Sequence, residues 1–254
     1  MTIYPKLSFM VLALTTLGAS YQANAAIVTA APSTGSSSFL FFAYDGAGKS
    51  YLKGLTLTLD GMLAAPTTTQ SFSLAGLSAQ FASSSTDPVW GVVAADTVSS
   101  GTFKGYRIIT SADTNFTAAS FPTTNSGTKN SALALGNFLN TADDGTTVAG
   151  VTIQTSSTSD QQYAGQSSWS FNWGNNGPAN TSALTNGAQL AAWLLDTGTS
   201  TSGVAKPPKT QLSNWQLDLG SNQLVYAPSA VPVPAAVWML GSALVALTGI
   251  RRRA

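Results

Sequence analysis

Residues 43–50 read AYDGAGKS, one substitution away from the Gly-x-x-x-x-Gly-Lys-Ser/Thr loop that holds nucleotide phosphates. Such a loop needs a strand before it and a helix after it, so that the helix N-terminus faces the phosphates. The preceding SSSFLFFAY favours a strand, but the following YLKGLTLTLDG alternates leucine with threonine, which is typical of a second strand. Asp45 and Gly46 form a turn signal between the two. We therefore predict a β-hairpin turn here, and no bound nucleotide.

Acid–base and nucleophilic chemistry is restricted by residue type. The chain has no Glu, His or Cys, so Ser-His-Asp triads, thiolate sites, disulfides and His-bearing zinc sites are excluded. Paired Asp side chains remain, as in glycoside hydrolysis, which needs two carboxylates ~5 to ~9.5 Å apart. The candidates are Asp87, Asp96, Asp113 and Asp160, and most lie beside turn residues, where Asp bonds nearby backbone amides. We predict turn roles, no catalytic residues and a non-enzymatic protein.

Metal and cofactor sites find little support. Asp143 and Asp144 precede a glycine and could offer oxygen ligands to Ca²⁺, but the remaining spaced ligands of a calcium loop are missing. We predict no metal and no cofactor.

The aromatic side chains of the segment SSWSFNWGNNGPANTS have two possible roles, sugar binding and core packing. Trp169 and Trp173 fall on one face of a predicted strand, beside several asparagines, and could stack on sugar rings while the amides bond the hydroxyls. The alternative is that they fill the core, where large aromatics dominate burial. We predict core positions for Trp90, Trp193 and Trp215 by the same reasoning.

The polar composition favours an exported protein. Charged residues make up 8% of the chain, against roughly 25% in an average soluble protein. Ser, Thr, Gly, Asn and Ala supply most of its polar and small residues. Nucleic-acid binding is not expected, because it rests on clustered Lys and Arg.

The N-terminus has the layout of a secretory signal peptide. Lys6 precedes an apolar run over residues 7–19, and Ala23 and Ala25 form an A-x-A cleavage site. A run of 13 residues spans only ~20 Å, too short for the ~30 Å core of a bilayer. We predict export through the Sec machinery and cleavage by signal peptidase after Ala25.

The C-terminus predicts a membrane anchor. Residues 231–250 carry no charge, and Arg251, Arg252 and Arg253 follow at once. Pro232 and Pro234 fit the approach to a helix, which could run from residue 235 to 250. The arginines stay cytoplasmic by the positive-inside rule, which puts the preceding chain outside the inner membrane.

This tail closely resembles the PEP-CTERM sorting signal. The resemblance rests on the V-P-V-P of Val231, Pro232, Val233 and Pro234, on Trp238 and Gly241 in the apolar helix, and on the terminal arginines. Val233 replaces the name-giving Glu, as in a common variant that continues P-A-A-V-W-x-L-G-S. Proteins with this signal share only the tail and a signal peptide. The resemblance implies that an exosortase, a membrane protease-transpeptidase of Gram-negative bacteria that make exopolysaccharide, recognises and processes the V-P-V-P element.

Five segments follow from the two termini. Residues 1–25 are the signal peptide, 26–228 a secreted β-rich domain, 229–234 the stalk with the sorting motif, 235–250 the transmembrane helix and 251–254 a cytoplasmic Arg-rich tail.

We predict a mainly β domain, an antiparallel β-sandwich with one or two short helices. Short alternating runs broken by Gly, Ser, Thr, Asn and Pro indicate seven to ten strands, including a hairpin over residues 213–227 and a bulge at Gly76. Apolar residues at helical spacing predict helices over 130–142, capped by Asn130 or Ser131, and over 185–198, capped by Asn186.

These features predict an exported cell-surface or biofilm-matrix protein in contact with exopolysaccharide, anchored in the inner membrane as a precursor. The alternatives are a carbohydrate-binding module that uses Trp169 and Trp173, and a secreted hydrolase with paired Asp.

Overall fold

The computed structural model describes residues 37–96, 104–115, 124–142, 152–165 and 181–227. These residues form ten strands and three helices. The strands are β1 Ser38–Tyr44, β2 Lys49–Thr58, β3 Gln70–Ser73, β4 Val89–Ala95, β5 Arg107–Ala112, β6 Thr152–Ser156, β7 Ser182–Ala183, β8 Gln189–Asp196, β9 Lys209–Asp218 and β10 Gln223–Ala227. The helices are α1 Leu59–Ala64, α2 Leu77–Phe81 and α3 Asn125–Ala142.

All ten strands belong to one antiparallel sheet. Its order is β3-β10-β9-β8-β5-β4-β1-β2-β6, and β7 pairs with the start of β4. Every pairing within it is antiparallel. The prediction of a mainly β, antiparallel fold is confirmed.

The sheet curls so that strands far apart in its order face each other. The ring of Phe39 on β1 lies 5.6 Å from the ring of Trp215 on β9, although β8, β5 and β4 separate these strands. Alternate residues of nearly every strand enter one buried cluster inside the curl, which α1 and α2 help to close. The core therefore lies on the concave face of the sheet.

A second apolar cluster lies on the outer face under α3. Leu40, Phe42 and Val93 point away from the main core and pack with Leu135 and Phe138 of the helix. Because these strands are buried on both faces, their sequences read as nearly continuous apolar runs.

The predicted helix over 130–142 is confirmed, but it begins earlier. The Thr124 hydroxyl accepts a hydrogen bond from the Gly127 amide at 3.1 Å, and the helix starts at Asn125. Asn130 and Ser131, the predicted caps, lie inside it, and Ser131 donates instead to the Gly127 carbonyl.

The predicted helix over 185–198 is wrong. Residues Gln189–Asp196 form β8, a central strand between β5 and β9. Leu190 and Ala192 enter the main core, while Trp193 and Leu195 are buried on the opposite face. A strand buried on both faces loses its two-residue period, so its apolar run resembles a helix.

The predicted bulge at Gly76 is also wrong. Strand β3 ends at Ser73, and Gly76, with φ of +86°, starts the short helix α2. Leu77 and Phe81 then reach the core from one face of a helical turn. The apparent change of strand phase is a change from strand to helix.

Candidate functional site

The AYDGAGKS segment forms the predicted hairpin turn. Tyr44 pairs with Ser50 across β1 and β2, and strand β2 begins at Lys49, where a phosphate loop would have its helix. The buried Asp45 carboxylate accepts hydrogen bonds from the backbone amides of Ala47 at 2.8 Å and Lys49 at 3.0 Å. These amides, which a phosphate loop would direct at its ligand, are therefore occupied by Asp45.

Hydrogen bonds from a neighbouring loop stabilise this turn. Ser84 donates a hydrogen bond to the other Asp45 oxygen, and Thr86 donates one to the Asp45 carbonyl. Burial alone would raise the pKa of Asp45, but the hydrogen bonds from Ser84 and the turn amides lower it below its usual value. The carboxylate therefore serves as a structural acceptor.

Four other carboxylates make local turns in the same way. Each accepts a hydrogen bond from the amide two residues ahead, at 2.7 to 2.9 Å; they are Asp113, Asp160, Asp196 and Asp218. The predicted turn roles of Asp113 and Asp160 are confirmed. Asp87 is exposed.

Asp96 differs, because it and a second carboxylate, Asp60, form ion pairs with the same arginine, Arg107. Its fully buried side chain accepts from Arg107 Nε at 2.6 Å, and Arg107 Nη1 lies 2.8 Å from Asp60 at the start of α1. Ser37 also donates to Asp96 at 3.3 Å. Burial raises the pKa of Asp96, and the Arg107 charge opposes that rise. The two converging carboxylates are thus tied to a guanidinium.

The tryptophans of the described residues belong to the interior. Trp90 and Trp215 are fully buried in the main core, and Trp193 is 8% exposed on the outer face of β8. The predicted core positions of all three are confirmed. Trp169 and Trp173, the candidate glycan contacts, lie outside the described residues.

Antiparallel pairing separates the sheet into two ends. At the first, the Ser38 end, β1, β5 and β9 begin, and β2, β4, β8 and β10 finish. The described chain therefore starts at Ser37 on this end, and β10 runs toward the same end, although its last residue, Ala227, pairs with Asn214, five residues along β9 from Lys209. The opposite end, the Asp45 end, carries the hairpin turns 45–48 and 219–222.

Lysines gather at the Ser38 end from separate loops. Lys104 lies in the turn before β5, and Lys206 and Lys209 lie where β9 begins. Lys129 on α3 places its Nζ 5.7 Å from the centre of the Tyr106 ring, directly before β5. With Arg107, five cations face three carboxylates at this end, a formal charge of +2; the three are Asp60, Asp96 and Asp196.

The Asp45 end has the opposite charge. Among the described residues it carries one cation, Lys49, and five carboxylates, a formal charge of −4; the five are Asp45, Asp87, Asp113, Asp160 and Asp218. Lys53 lies midway along β2. This separation of charge is not evident in the sequence, because the lysines of the Ser38 end are spread over more than 100 residues.

The predicted sorting and processing residues lie outside the described residues. They are Ala23 and Ala25, Val231, Pro232, Val233 and Pro234, Trp238, Gly241, and Arg251, Arg252 and Arg253. Asp143 and Asp144 also lie outside them.

The described residues form neither a metal-binding cluster nor a membrane-spanning helix. Within residues 37–227, apart from the gaps given above, no three metal-ligating side chains gather. No helix in that part of the chain has the length and apolarity to cross a bilayer.

No protein-family model matches this chain, and neither a curated protein nor a solved structure is similar to it.

Proposed function

We propose that this is an exported, non-catalytic protein of the cell surface or biofilm matrix, sorted by an exosortase-type membrane protease. The observation that carries the proposal is the order of the C-terminal residues: V-P-V-P, an uncharged segment with Trp238 and Gly241, and then three arginines. The signal peptide ending at Ala25 agrees with the same topology. The precursor is held in the inner membrane with its domain in the periplasm, and processing near Val231–Pro234 passes it to the surface or matrix.

The curled sheet is the exported domain, and we propose that its two facing halves act as the layers of an antiparallel sandwich. The contact between β1 and β9 supports this arrangement. The described chain starts at the Ser38 end and β10 runs toward that end, so a stalk that continues in the direction of β10 would present the Asp45 end away from the anchor.

The positions of the carboxylates favour a structural or adhesive role over catalysis. Five of the described Asp side chains bond their own turns. Asp60 and Asp96 share Arg107, whereas a glycosidase needs two carboxyl groups that flank a substrate bond. Exopolysaccharide is the proposed partner of the exported domain.

The test is the cellular location of sorting-motif variants. Pro232→Ala combined with Pro234→Ala should leave the protein in the inner-membrane fraction, as should loss of the host exosortase. Pro208→Ala, a change at an exposed proline within the domain, serves as the control and should reach the surface normally. Normal surface delivery of the double variant, or of the wild type without exosortase, would remove the proposal.

A carbohydrate-binding module is the second candidate. Because Trp90, Trp193 and Trp215 are buried, Trp169 and Trp173 are the tryptophans of the exported segment left for a sugar platform. The double change Trp169→Ala and Trp173→Ala should then abolish retention of the protein by exopolysaccharide in affinity electrophoresis, with an unchanged melting temperature. A large drop in melting temperature would instead indicate core positions.

A further inference from the structure

We propose that the lysine-bearing Ser38 end of the sheet docks onto anionic lipid headgroups and holds the domain against the membrane while its tail is anchored. This inference rests on the proposed function, because it needs the C-terminal anchor. It adds a surface, a partner chemistry and an orientation that the sorting signal does not supply.

The lysines form one surface because backbone contacts join the loops that carry them. The Gly105 amide, next to Lys104, donates to the Gly198 carbonyl at 2.8 Å, which joins the turn before β5 to the loop between β8 and β9. The amides of Asn125 and Ser126 donate to the same loop, at the carbonyls of Ala205 and Gly203, and bring the start of α3 against it.

Two of the lysines, Lys206 and Lys209, repel each other electrostatically. The pKa of Lys209 is lowered, mainly by burial and to a smaller extent by the nearby positive charge of Lys206. Such mutual repulsion is relieved when an anionic surface lies opposite. Lys104 and Lys206 are exposed.

The position of the chain's exit favours a membrane over a soluble anion. Only residues 228–234 separate Ala227 from the predicted transmembrane helix. Seven residues span at most roughly 25 Å, so the Ser38 end stays within reach of the bilayer. Tethering of this kind raises the local concentration of the partner surface, so that weak point-charge contacts suffice.

The charge of the Asp45 end determines which end of the sheet faces the membrane. Its formal charge of −4 among the described residues disfavours contact with anionic headgroups. Lysines suit this partner because they act as point charges toward a plane of phosphates, without the fixed bidentate geometry that arginine offers to one anion. A second copy, which could present its Asp45 end to the lysines, is the competing partner and is separated by the test.

The experiment measures the distance of each sheet end from the bilayer. The full chain has no cysteine, so Thr201→Cys at the Ser38 end and Thr185→Cys at the Asp45 end can each carry one donor dye. Both positions are exposed. Each labelled chain is reconstituted into vesicles of phosphatidylcholine alone or with phosphatidylglycerol, and energy transfer to a headgroup-labelled lipid is recorded. The triple change Lys104→Gln, Lys206→Gln and Lys209→Gln tests the surface, and Lys49→Gln is the matched control.

We expect transfer from position 201 to rise with phosphatidylglycerol, and transfer from position 185 not to rise. The rise should disappear in the triple variant, persist in Lys49→Gln, and fall at high salt, where the screening length drops from about 10 Å to about 3 Å. Transfer that is equal in both lipids, or a rise that survives the triple change, would overturn lipid docking. A rise that follows protein density rather than phosphatidylglycerol would also overturn it, in favour of a second copy. Failure of the chain to float with either vesicle would overturn the anchor itself, and the docking with it.

Discussion

Replacing Gly48 with alanine should destabilise the domain much more than replacing Gly46, although both glycines belong to the same turn. Gly48 has φ of +118°, and an added Cβ would lie 2.8 Å from the Ser157 Cα and 2.9 Å from the Thr158 amide nitrogen. Gly46 has φ of +70°, but an added Cβ there would meet no atom within 4 Å. The pair therefore separates backbone strain from steric overlap.

The two costs can be given magnitudes. A left-handed backbone costs an L-residue about 1 to 2 kcal/mol, which applies to both positions. Overlap with backbone that cannot rotate away adds about 1 to 3 kcal/mol at Gly48 alone. We expect Gly46→Ala to lower the free energy of unfolding by about 1 to 2 kcal/mol and Gly48→Ala by about 2 to 5 kcal/mol.

Equilibrium unfolding in urea, followed by tryptophan fluorescence, measures the difference. Trp90 and Trp215 are fully buried and should report loss of the core. Because the free energy falls by about 1 to 3 kcal/mol per molar urea, an added cost of about 1 to 3 kcal/mol at Gly48 should separate the two midpoints by about 0.3 to 3 M. Equal midpoints would refute the close contact between the hairpin turn and Ser157.

Three further predictions concern buried polar groups. Arg107→Gln should cost about 3 to 5 kcal/mol at pH 7, because it leaves the Asp96 charge buried without its partner, whereas Asp60→Asn should cost less than about 1 kcal/mol. Burial raises the pKa of Asp96, so the Arg107→Gln loss should shrink in urea titrations at pH 4, and a pH-independent loss would contradict the assignment. The pKa of Asp45 is lowered, so its stabilisation is present above the ordinary Asp pKa and is lost as pH falls through the lowered value; thermal melting should show the gap between wild type and Asp45→Asn closing below about pH 3. The Trp215 indole N–H has no hydrogen-bond partner in the described structure, so Trp215→Phe loses no hydrogen bond; because it also keeps an aromatic ring beside Phe39 and Tyr226, it should cost at least about 1 kcal/mol less than Trp215→Leu, and an equal cost in urea unfolding would contradict this.

The sequence predicts best those strands that are buried on one face, because one-sided burial produces a regular alternation of apolar and polar residues. The hairpin of β9 and β10 carries alternating residues and a clear turn signal. In the hairpin from residue 38 to 58, the end of β2 alternates and Asp45 and Gly46 signal the turn, although β1 is buried on both faces. Both hairpins are confirmed. Strand β8 is missed because its two faces are both apolar, which removes the alternation on which the prediction depends. Helix α2 is missed because five residues are too few to establish a helical period.

The ion pairs of Arg107 and the lysine cluster of the Ser38 end both depend on the order of strands, which the sequence does not reveal. Asp96 and Arg107 lie at facing ends of neighbouring strands, and Asp60 reaches the same arginine from a helix on another part of the chain. The lysines of the Ser38 end gather only because strand directions alternate through the curled sheet. The prediction of a sorting signal in the tail, in contrast, rests on local sequence alone.

The intact mass of the mature protein from its native host, with and without a functional exosortase, tests the central claim most directly. The account predicts a chain that begins at Ala26 and ends near Val231–Pro234 when the protease is present, and that retains Arg253 when it is absent. A chain that still includes Arg253 in both hosts would make the tail a permanent anchor. It would contradict the sorting and matrix roles and leave a periplasm-facing inner-membrane protein.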